Sequence, residues 1–161
     1  MSDIVCNAGP LIALAGIERV DLLHDLFGVV LVAREVQLEV ETGGITGTGS
    51  TIFHEAPWLK VVQLGKEIDP LLASTLDRGE AATVALALVH SAALVLMDEV
   101  KGRRVARNVY GLEVVGTGRL LVEAKQASLV ALVRPLIEQM RRNGYWIADK
   151  IVAEVLRQAG E

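Results

Sequence analysis

The chain has 161 residues, which suits a single domain spanning 1–161, and 52% of them are hydrophobic. Aromatic residues make up only 4%, so the core must be built from leucine, valine, isoleucine and alanine, as in parallel sheets covered by helices. The net charge of −4 argues against a protein that binds nucleic acid through general charge attraction.

The cysteine content and the first residues predict the compartment. Cys6 is the single cysteine, so no internal disulfide can form, and we expect it to be a small buried apolar residue. Met1, Ser2 and Asp3 include no basic segment of the kind that begins a signal peptide. Both observations favour a reducing, cytoplasmic location.

The first third of the chain alternates short apolar runs with turn and helix signals. A buried strand is predicted over 4–6 and a turn over 7–10, where Pro10 suits the first position of a helix. Further along, the pattern predicts a helix over 11–15 ended by Gly16, a helix over 19–27, a strand over 29–32, a helix over 34–41 and a flexible glycine-rich loop over 43–50.

The rest of the chain continues this alternation. The apolar run 81–97 is interrupted by Thr83, His90 and Ser91, whereas a membrane helix needs about 20 unbroken apolar residues. We therefore predict a buried helix, a turn and a buried strand there, and no membrane span. The predicted elements are an edge strand over 60–64, strands over 94–97 and 113–115, and helices over 79–89, 100–110, 119–126, 131–143 and 149–158.

Strands that alternate with helices predict parallel pairing through right-handed crossovers. In such sheets, ligands bind outside the carboxyl ends of the strands. Asn7 follows the first predicted strand and Asp98 follows the strand that ends at Met97. Asp98 has two interpretations of equal weight, as a metal ligand or as the N-cap of the helix that begins near Val100. Asn7 has a turn composition, and its amide oxygen could also bind a hard cation.

Two glutamates are further candidates, and each has a structural alternative. Glu80 follows Asp77 by three residues before an apolar run, which is the pattern of a capping box. A carboxylate in the first turn of that helix could also face the strand ends and bind a cation. Glu39 lies one turn after Glu35, and a solvated helix face is the alternative to a role in a site. Carboxylates that cluster repel one another, so we expect at least one raised pKa without metal, and stabilisation by divalent metal.

The glycines around Thr117 do not form a dinucleotide-binding motif, because Leu121 stands where the third glycine is needed. Thr117 is instead interpreted as a helix N-cap or as a hydroxyl near the site. Arg103, Arg104 and Arg107 crowd the helix after Asp98, with a solvated face or a phosphate-binding rim as alternatives.

In their order along the chain, six segments together resemble the PIN-domain superfamily, and within it a subfamily of uncharacterised, predicted nucleic-acid-binding proteins related to toxins of toxin–antitoxin pairs. The segments are IVCNAGPLIAL at 4–14, LDRGEAATVALA at 76–87, LVLMDE at 94–99, GRRVA at 102–106, GLEVVGTG at 111–118 and EAK at 123–125.

The resemblance implies a Rossmann-like, three-layer α/β fold with a short parallel sheet flanked by helices. It also implies RNA cleavage at an acidic Mg²⁺ or Mn²⁺ site formed by Glu80, Asp98, Glu39 and Asn7, with a small antitoxin and a homodimer as expected partners. PIN nucleases usually have aspartate where this chain has Asn7, so metal affinity and rate should be lower. The main hypothesis is thus a metal-dependent ribonuclease or a toxin-like relative. The alternatives are a catalytically weakened module that binds nucleic acid or protein, and a structural subunit of a dimer.

Overall fold

The computed structural model describes residues 2–43 and 51–161, in which five short strands form one all-parallel sheet. The predicted three-layer α/β fold, a short parallel sheet flanked by helices, is confirmed. The strands are β1 (Ile4–Cys6), β2 (Val30–Ala33), β3 (Leu59–Val62), β4 (Leu94–Leu96) and β5 (Val114–Val115), in the spatial order β3-β2-β1-β4-β5.

Helices connect the strands and follow the last one. Across the described ranges, none of them is long and apolar enough to cross a membrane. The helices are α1 (Ala8–Gly16), α2 (Asp21–Phe27), α3 (Arg34–Gly43), α4 (Ile52–Glu55), α5 (Pro70–Thr75), α6 (Arg78–Val89), α7 (Val100–Asn108), α8 (Thr117–Gln126), α9 (Arg134–Arg142) and α10 (Asp149–Gln158).

The centre of the sheet lies deepest in the core. Val5 of β1 pairs with Leu31 of β2 on one side and with Val95 of β4 on the other. Cys6 is fully buried, as predicted, and its burial, reinforced by the nearby charge of Asp98, raises the pKa of its thiol. The thiol is therefore an unreactive apolar group. Because β1 and β4 are neighbours, the residues that follow them meet at one edge of the sheet.

Several element boundaries differ from the sequence-based predictions. Helix α1 begins at Ala8, so Pro10 is its third residue, because the extended backbone of Asn7 (ψ 174°) leads directly into the helix. Helix α5 was not predicted, although Asp69 caps it and Pro70 begins it, a recognised start signal. The four-residue helix α4 is too short for periodicity to show. Of the predicted loop over 43–50, Gly43 is the end of α3, and 44–50 lie outside the described residues.

The last residue of the sequence holds the start of α9. Glu161 is 8% exposed, and its carboxylate accepts hydrogen bonds from the N–H groups of Val133 (2.7 Å) and Arg134 (3.1 Å) and from Lys125 Nζ (3.1 Å). Burial alone would raise the pKa of Glu161, but these bonds outweigh it and hold the pKa below its usual value. The carboxylate therefore acts as a distant N-cap for α9.

We expect Glu161→Gln to lower the free energy of unfolding at pH 7 by about 1 kcal/mol, the usual value of a cap. Because the folded pKa is depressed, this contribution is present above pH 4.5 and is lost as the pH falls through the folded pKa. Urea unfolding at pH 7 and at pH 3 would measure both values, with Glu138→Gln on the exposed side of α9 as the control. If the free energies of unfolding of wild type and variant differ by the same amount at both pH values, the Glu161 carboxylate does not act as a cap.

Candidate functional site

Asp98 stands at the centre of a hydrogen-bonded cluster at the carboxyl end of β4. Its Oδ1 accepts a hydrogen bond from the backbone N–H of Thr117 at 2.7 Å, and its Oδ2 accepts one from the Thr117 hydroxyl at 2.6 Å. The hydroxyl of Tyr145, which precedes α10, also donates to Oδ2. Three of the about four lone-pair positions of the carboxylate are thus occupied.

The structure excludes one of the two interpretations of Asp98, the one as the N-cap of α7. Asp98 as the N-cap of α7 is wrong, because that position is held by Glu99, which makes no side-chain capping bond. Asp98 instead accepts the first N–H of α8, where a negative charge is favoured by the helix dipole. The approach is close, since a Cβ atom at Gly116 would lie 2.8 Å from Asp98 Oδ1. The pKa of the Tyr145 hydroxyl is raised mainly by burial and further by the negative charge of Asp98, so the hydroxyl keeps its proton and stays a donor.

An acidic cavity of about 210 Å³ adjoins this cluster. It lies where α1, α3, α6 and the segment after β4 meet. Its polar lining consists of Asn7, Glu39, Asp77, Glu80, Glu99 and Tyr145. Three of the four predicted site residues, Asn7, Glu39 and Glu80, thus come together in it, while Asp98 lies at its border and lines the neighbouring groove.

Charge in the acidic cavity is unfavourable without a cation. Burial raises the pKa values of both Glu39 and Glu80, and repulsion from Asp77 and Glu99 raises them further. The expectation of at least one raised carboxylate pKa is confirmed, although burial is the larger cause and repulsion the second. The cavity therefore favours either protons or a bound cation.

Asn7 is fixed by a contact with helix α6. It is 4% exposed, and its Oδ1 lies 3.1 Å from the hydroxyl of Thr83, which also lies 2.8 Å from the carbonyl of Gly79. A Cβ atom at Gly79 would lie 2.5 Å from Glu39 Oε2 and 3.8 Å from Asn7 Oδ1, so glycine allows α3 and β1 to bring these groups together. The side chain of Asn7 is held by α6.

Glu80 forms the predicted capping box and also faces the acidic cavity. The capping box is present, since Glu80 N–H donates to Asp77 Oδ1 at 2.8 Å and Asp77 N–H donates to Glu80 Oε2 at 3.3 Å. The same carboxylate, only 7% exposed, lines the acidic cavity. The cap therefore orients Glu80 towards the site. Glu39 is exposed at the rim, and Glu35, one turn earlier, is not part of the lining.

The basic residues of α7 separate into different environments. Arg103 is half-buried in the groove beside Asp98, and burial together with Arg107 lowers the pKa of its guanidinium. Arg107 donates to the carbonyl of Val114 in β5, while Arg104 is exposed. Thr117 is only 1% exposed, so in this structure its hydroxyl contacts Asp98 rather than solvent.

The chemistry of these donors fits a divalent cation, although the ligand geometry is not preformed. Carboxylate and amide oxygens are the ligands that Mg²⁺ and Mn²⁺ prefer. A cation would also offset the repulsion that raises the pKa values of Glu39 and Glu80. Over residues 2–43 and 51–161, no three Asp, Glu, His or Cys side chains are placed to hold one ion. The carboxylates would have to converge when a cation binds.

Sequence reasoning missed three members of this region. Asp77 was interpreted only as half of a capping box, and Glu99 appeared only as the last residue of the segment at 94–99. Both line the acidic cavity. Tyr145 carries no local signal at all, since it reaches Asp98 across 47 residues. The acidic neighbours could have been found from their positions beside predicted strand and helix ends.

We expect Glu39→Gln to stabilise the metal-free protein at pH 7. A raised folded pKa means that the contribution of Glu39 to stability is present below its ordinary pKa of 4.5 and is lost as the pH rises through the folded value. The gain should be at most about 0.5 kcal/mol, because the side chain is exposed and solvent screens the repulsion. Thermal unfolding in EDTA at pH 7 and pH 4 measures it. A lower melting temperature at pH 7 contradicts the expected sign.

Comparison with known protein families covers almost the whole chain. The model of a family described as a PIN domain matches residues 3–161, which include all five strands and every residue of the acidic cavity. No curated protein matches the sequence. The fold suggests a nuclease-type function acting on nucleic acid. With its parallel sheet and its acidic groups at the carboxyl ends of the strands, the chain belongs to the PIN-domain family.

Proposed function

We propose that the protein is a divalent-metal-dependent endoribonuclease that cleaves RNA phosphodiesters at the acidic cavity. The observation that carries the proposal is the convergence of Asn7, Glu39 and Glu80, from three separate elements, beside Asp98 in a PIN-domain chain. The two glutamates have raised pKa values, which is the electrostatic condition of a cation site without its cation.

Each residue has a defined part in this proposal. Glu39, Glu80 and Asp98 would hold Mg²⁺ or Mn²⁺, and Asn7 would orient the attacking water without adding charge. Thr117 fixes the direction of the Asp98 carboxylate through two hydrogen bonds. A bound divalent cation lowers the pKa of a water and stabilises the charge that develops on phosphate oxygens.

The negative net charge is compatible with an RNA substrate under this proposal. An acidic cavity by itself repels phosphate, but a bound divalent cation reverses the local field. Arg103, which lines the groove beside the cavity, supplies positive charge for phosphate groups, and Arg104 is exposed on the same helix. The homodimer, the antitoxin, the cytoplasmic location and a single domain over 1–161 stay predictions.

Cleavage of structured and unstructured RNA, with Mn²⁺, Mg²⁺ or EDTA, tests the proposal. We expect cleavage with Mn²⁺ or Mg²⁺ and none with EDTA. Glu39→Gln should reduce cleavage while stabilising the metal-free fold, because it removes both a cation ligand and a source of repulsion. Glu138→Gln, on the exposed surface of α9, is the matched control and should cleave normally. Equal cleavage by both variants contradicts the role of the cavity.

A second candidate function is a nucleic-acid-binding module with little or no turnover. Two observations favour it: the neutral Asn7 at the end of β1, and the three donors that already occupy the carboxylate of Asp98. Folded protein that binds RNA in EDTA but cleaves none in either metal would support this alternative over the nuclease.

A further inference from the structure

A groove of about 560 Å³ runs beside the acidic cavity, between the starts of α7 and α8 and the segment that leads into α10. Its apolar lining is unusually exposed: Trp146 by 78%, Val100 by 65% and Ile151 by 48%. Single exposed apolar residues are common on protein surfaces. Three of them lining one groove next to a candidate active site mark a binding surface.

The indole of Trp146 is supported from within the protein. The guanidinium carbon of Arg141 lies 5.8 Å from the centre of the ring. Arg141 also donates to the carbonyl of Ile147 from Nε at 3.1 Å and to Asp149 Oδ1 from Nη2 at 2.7 Å. The bond to Ile147 anchors the backbone directly after Trp146, and the arginine contact supports the ring, while most of the indole surface stays open to a ligand.

Positive charge lies in the same groove. Arg103 lines it, and a Cβ atom at Gly116 would be 3.2 Å from Arg103 Nη1. Within the described part of the chain, Arg103 takes part in no ion pair, whereas Arg119, on the other side of the groove, pairs with Glu123 at 3.2 Å. The guanidinium of Arg103 thus lines the same groove as Trp146 and is available to a phosphate group bound there.

We propose that this groove binds an unpaired nucleotide of single-stranded RNA, with its base stacked on Trp146 and its phosphate on Arg103. The proposal rests on the proposed function for its substrate class and adds where and in what form the strand binds. Aromatic stacking together with arginine is the usual means of binding single strands. Glu99 and Tyr145 line both the groove and the acidic cavity, so a strand held here would continue towards the carboxylates.

The chemistry of the groove favours a base over a peptide. An apolar helix of a partner protein would need a continuous apolar strip, whereas here Arg103 and Arg119 interrupt the apolar residues. A base in a duplex could not reach the indole face, because both of its faces are stacked within the helix. The groove should therefore prefer single strands to duplexes.

Fluorescence titration in EDTA tests the proposal without any contribution from catalysis. In a Trp58→Phe background, Trp146 is the remaining tryptophan, and phenylalanine retains an aromatic ring for the contact with His24. We expect quenching by a single-stranded oligoribonucleotide and weaker binding of the same sequence as a duplex. By polarisation with a labelled strand, Trp146→Ala should weaken binding about 5- to 150-fold. Trp146→Phe should retain much of the affinity.

Two further variants separate stacking from charge and from general surface effects. Arg103→Gln should reduce the slope of log Kd against log salt by about 0.7, the value for one phosphate contact on a single strand. Leu132→Ala, which removes another exposed apolar side chain, is the matched control and should bind normally. Equal binding by Trp146→Ala and the control, or equal affinity for duplex and single strand, overturns the proposal.

The same proteins, assayed for cleavage in Mn²⁺, separate this proposal from the nuclease proposal. If Trp146→Ala binds RNA as tightly as the wild type and cleaves it at the wild-type rate, the groove proposal is wrong and the nuclease proposal stands. If RNA binds tightly in a way that depends on Trp146 but is not cleaved in any metal, the groove proposal stands and the nuclease proposal is wrong. An absence of single-strand binding by the wild type in EDTA would overturn the groove, whatever the cleavage assay shows.

Discussion

Asp98→Asn is expected to lower metal-dependent RNA cleavage by about 100-fold or more, as for other losses of a charge that stabilises a transition state. The substitution keeps the shape of the side chain and one acceptor oxygen, which can still receive the N–H of Thr117. It removes the negative charge that would hold a cation beside the acidic cavity. Cleavage rates at saturating Mn²⁺, for wild type and variant, measure the effect.

Loss of stability must be separated from loss of charge in this experiment. The new amide NH₂ group takes the place of Oδ2 and cannot accept a hydrogen bond, so the hydroxyls of Thr117 and Tyr145 both lose their acceptor, at a cost of about 1–3 kcal/mol each. Thr117→Val gives up one of these two hydroxyl bonds but keeps the carboxylate, and it should therefore cleave much faster than Asp98→Asn when both variants are assayed well below their melting temperatures. Equal rates in the two variants would mean that Asp98 is a structural residue only.

Asn7→Asp is expected to give a less stable metal-free protein and a faster nuclease. Residue 7 is 4% exposed and shares its cavity with Glu39 and Glu80, whose pKa values are already raised. A further carboxylate there should cost about 1–3 kcal/mol in EDTA. Bound Mn²⁺ should recover that cost, because binding to the native state alone stabilises it.

The measurements are melting temperatures in EDTA and in millimolar Mn²⁺, together with cleavage rates. Asn7→Asp should melt below the wild type in EDTA, gain more from Mn²⁺, and cleave at least about 10-fold faster, since each 1.4 kcal/mol of added stabilisation is a factor of ten. Asn108→Asp adds the same charge at an exposed position of α7 and should change none of these values. A variant with the Mn²⁺ response and rate of the wild type would argue against a cation at this cavity and would favour the binding-module alternative.

Local sequence patterns determined the class of fold and the position of several site residues. Alternating apolar runs and helix signals predicted the parallel sheet, including β3 as an edge strand, and α10 was predicted with its observed bounds, 149–158. Asn7 and Asp98 were located because both follow buried strands. Glu80 was located because a capping box fixes the first turn of α6. Patterns of this kind are local, since periodicity, caps and turn residues act over a few positions of the chain.

Only the tertiary structure decided what these residues contact. Asp98 was expected either to bind metal or to cap the helix that follows it, yet its partners are Thr117 and Tyr145, which are 19 and 47 residues away. The groove beside it depends on Trp146, which lies in a loop with no periodic signal. Such pairings arise when separate elements pack against one another, and they depend on the depth and angle of that packing. The sequence by itself therefore determined an α/β sheet with polar groups at its carboxyl edge, and the packing of α8 and the segment before α10 decided which of them meet.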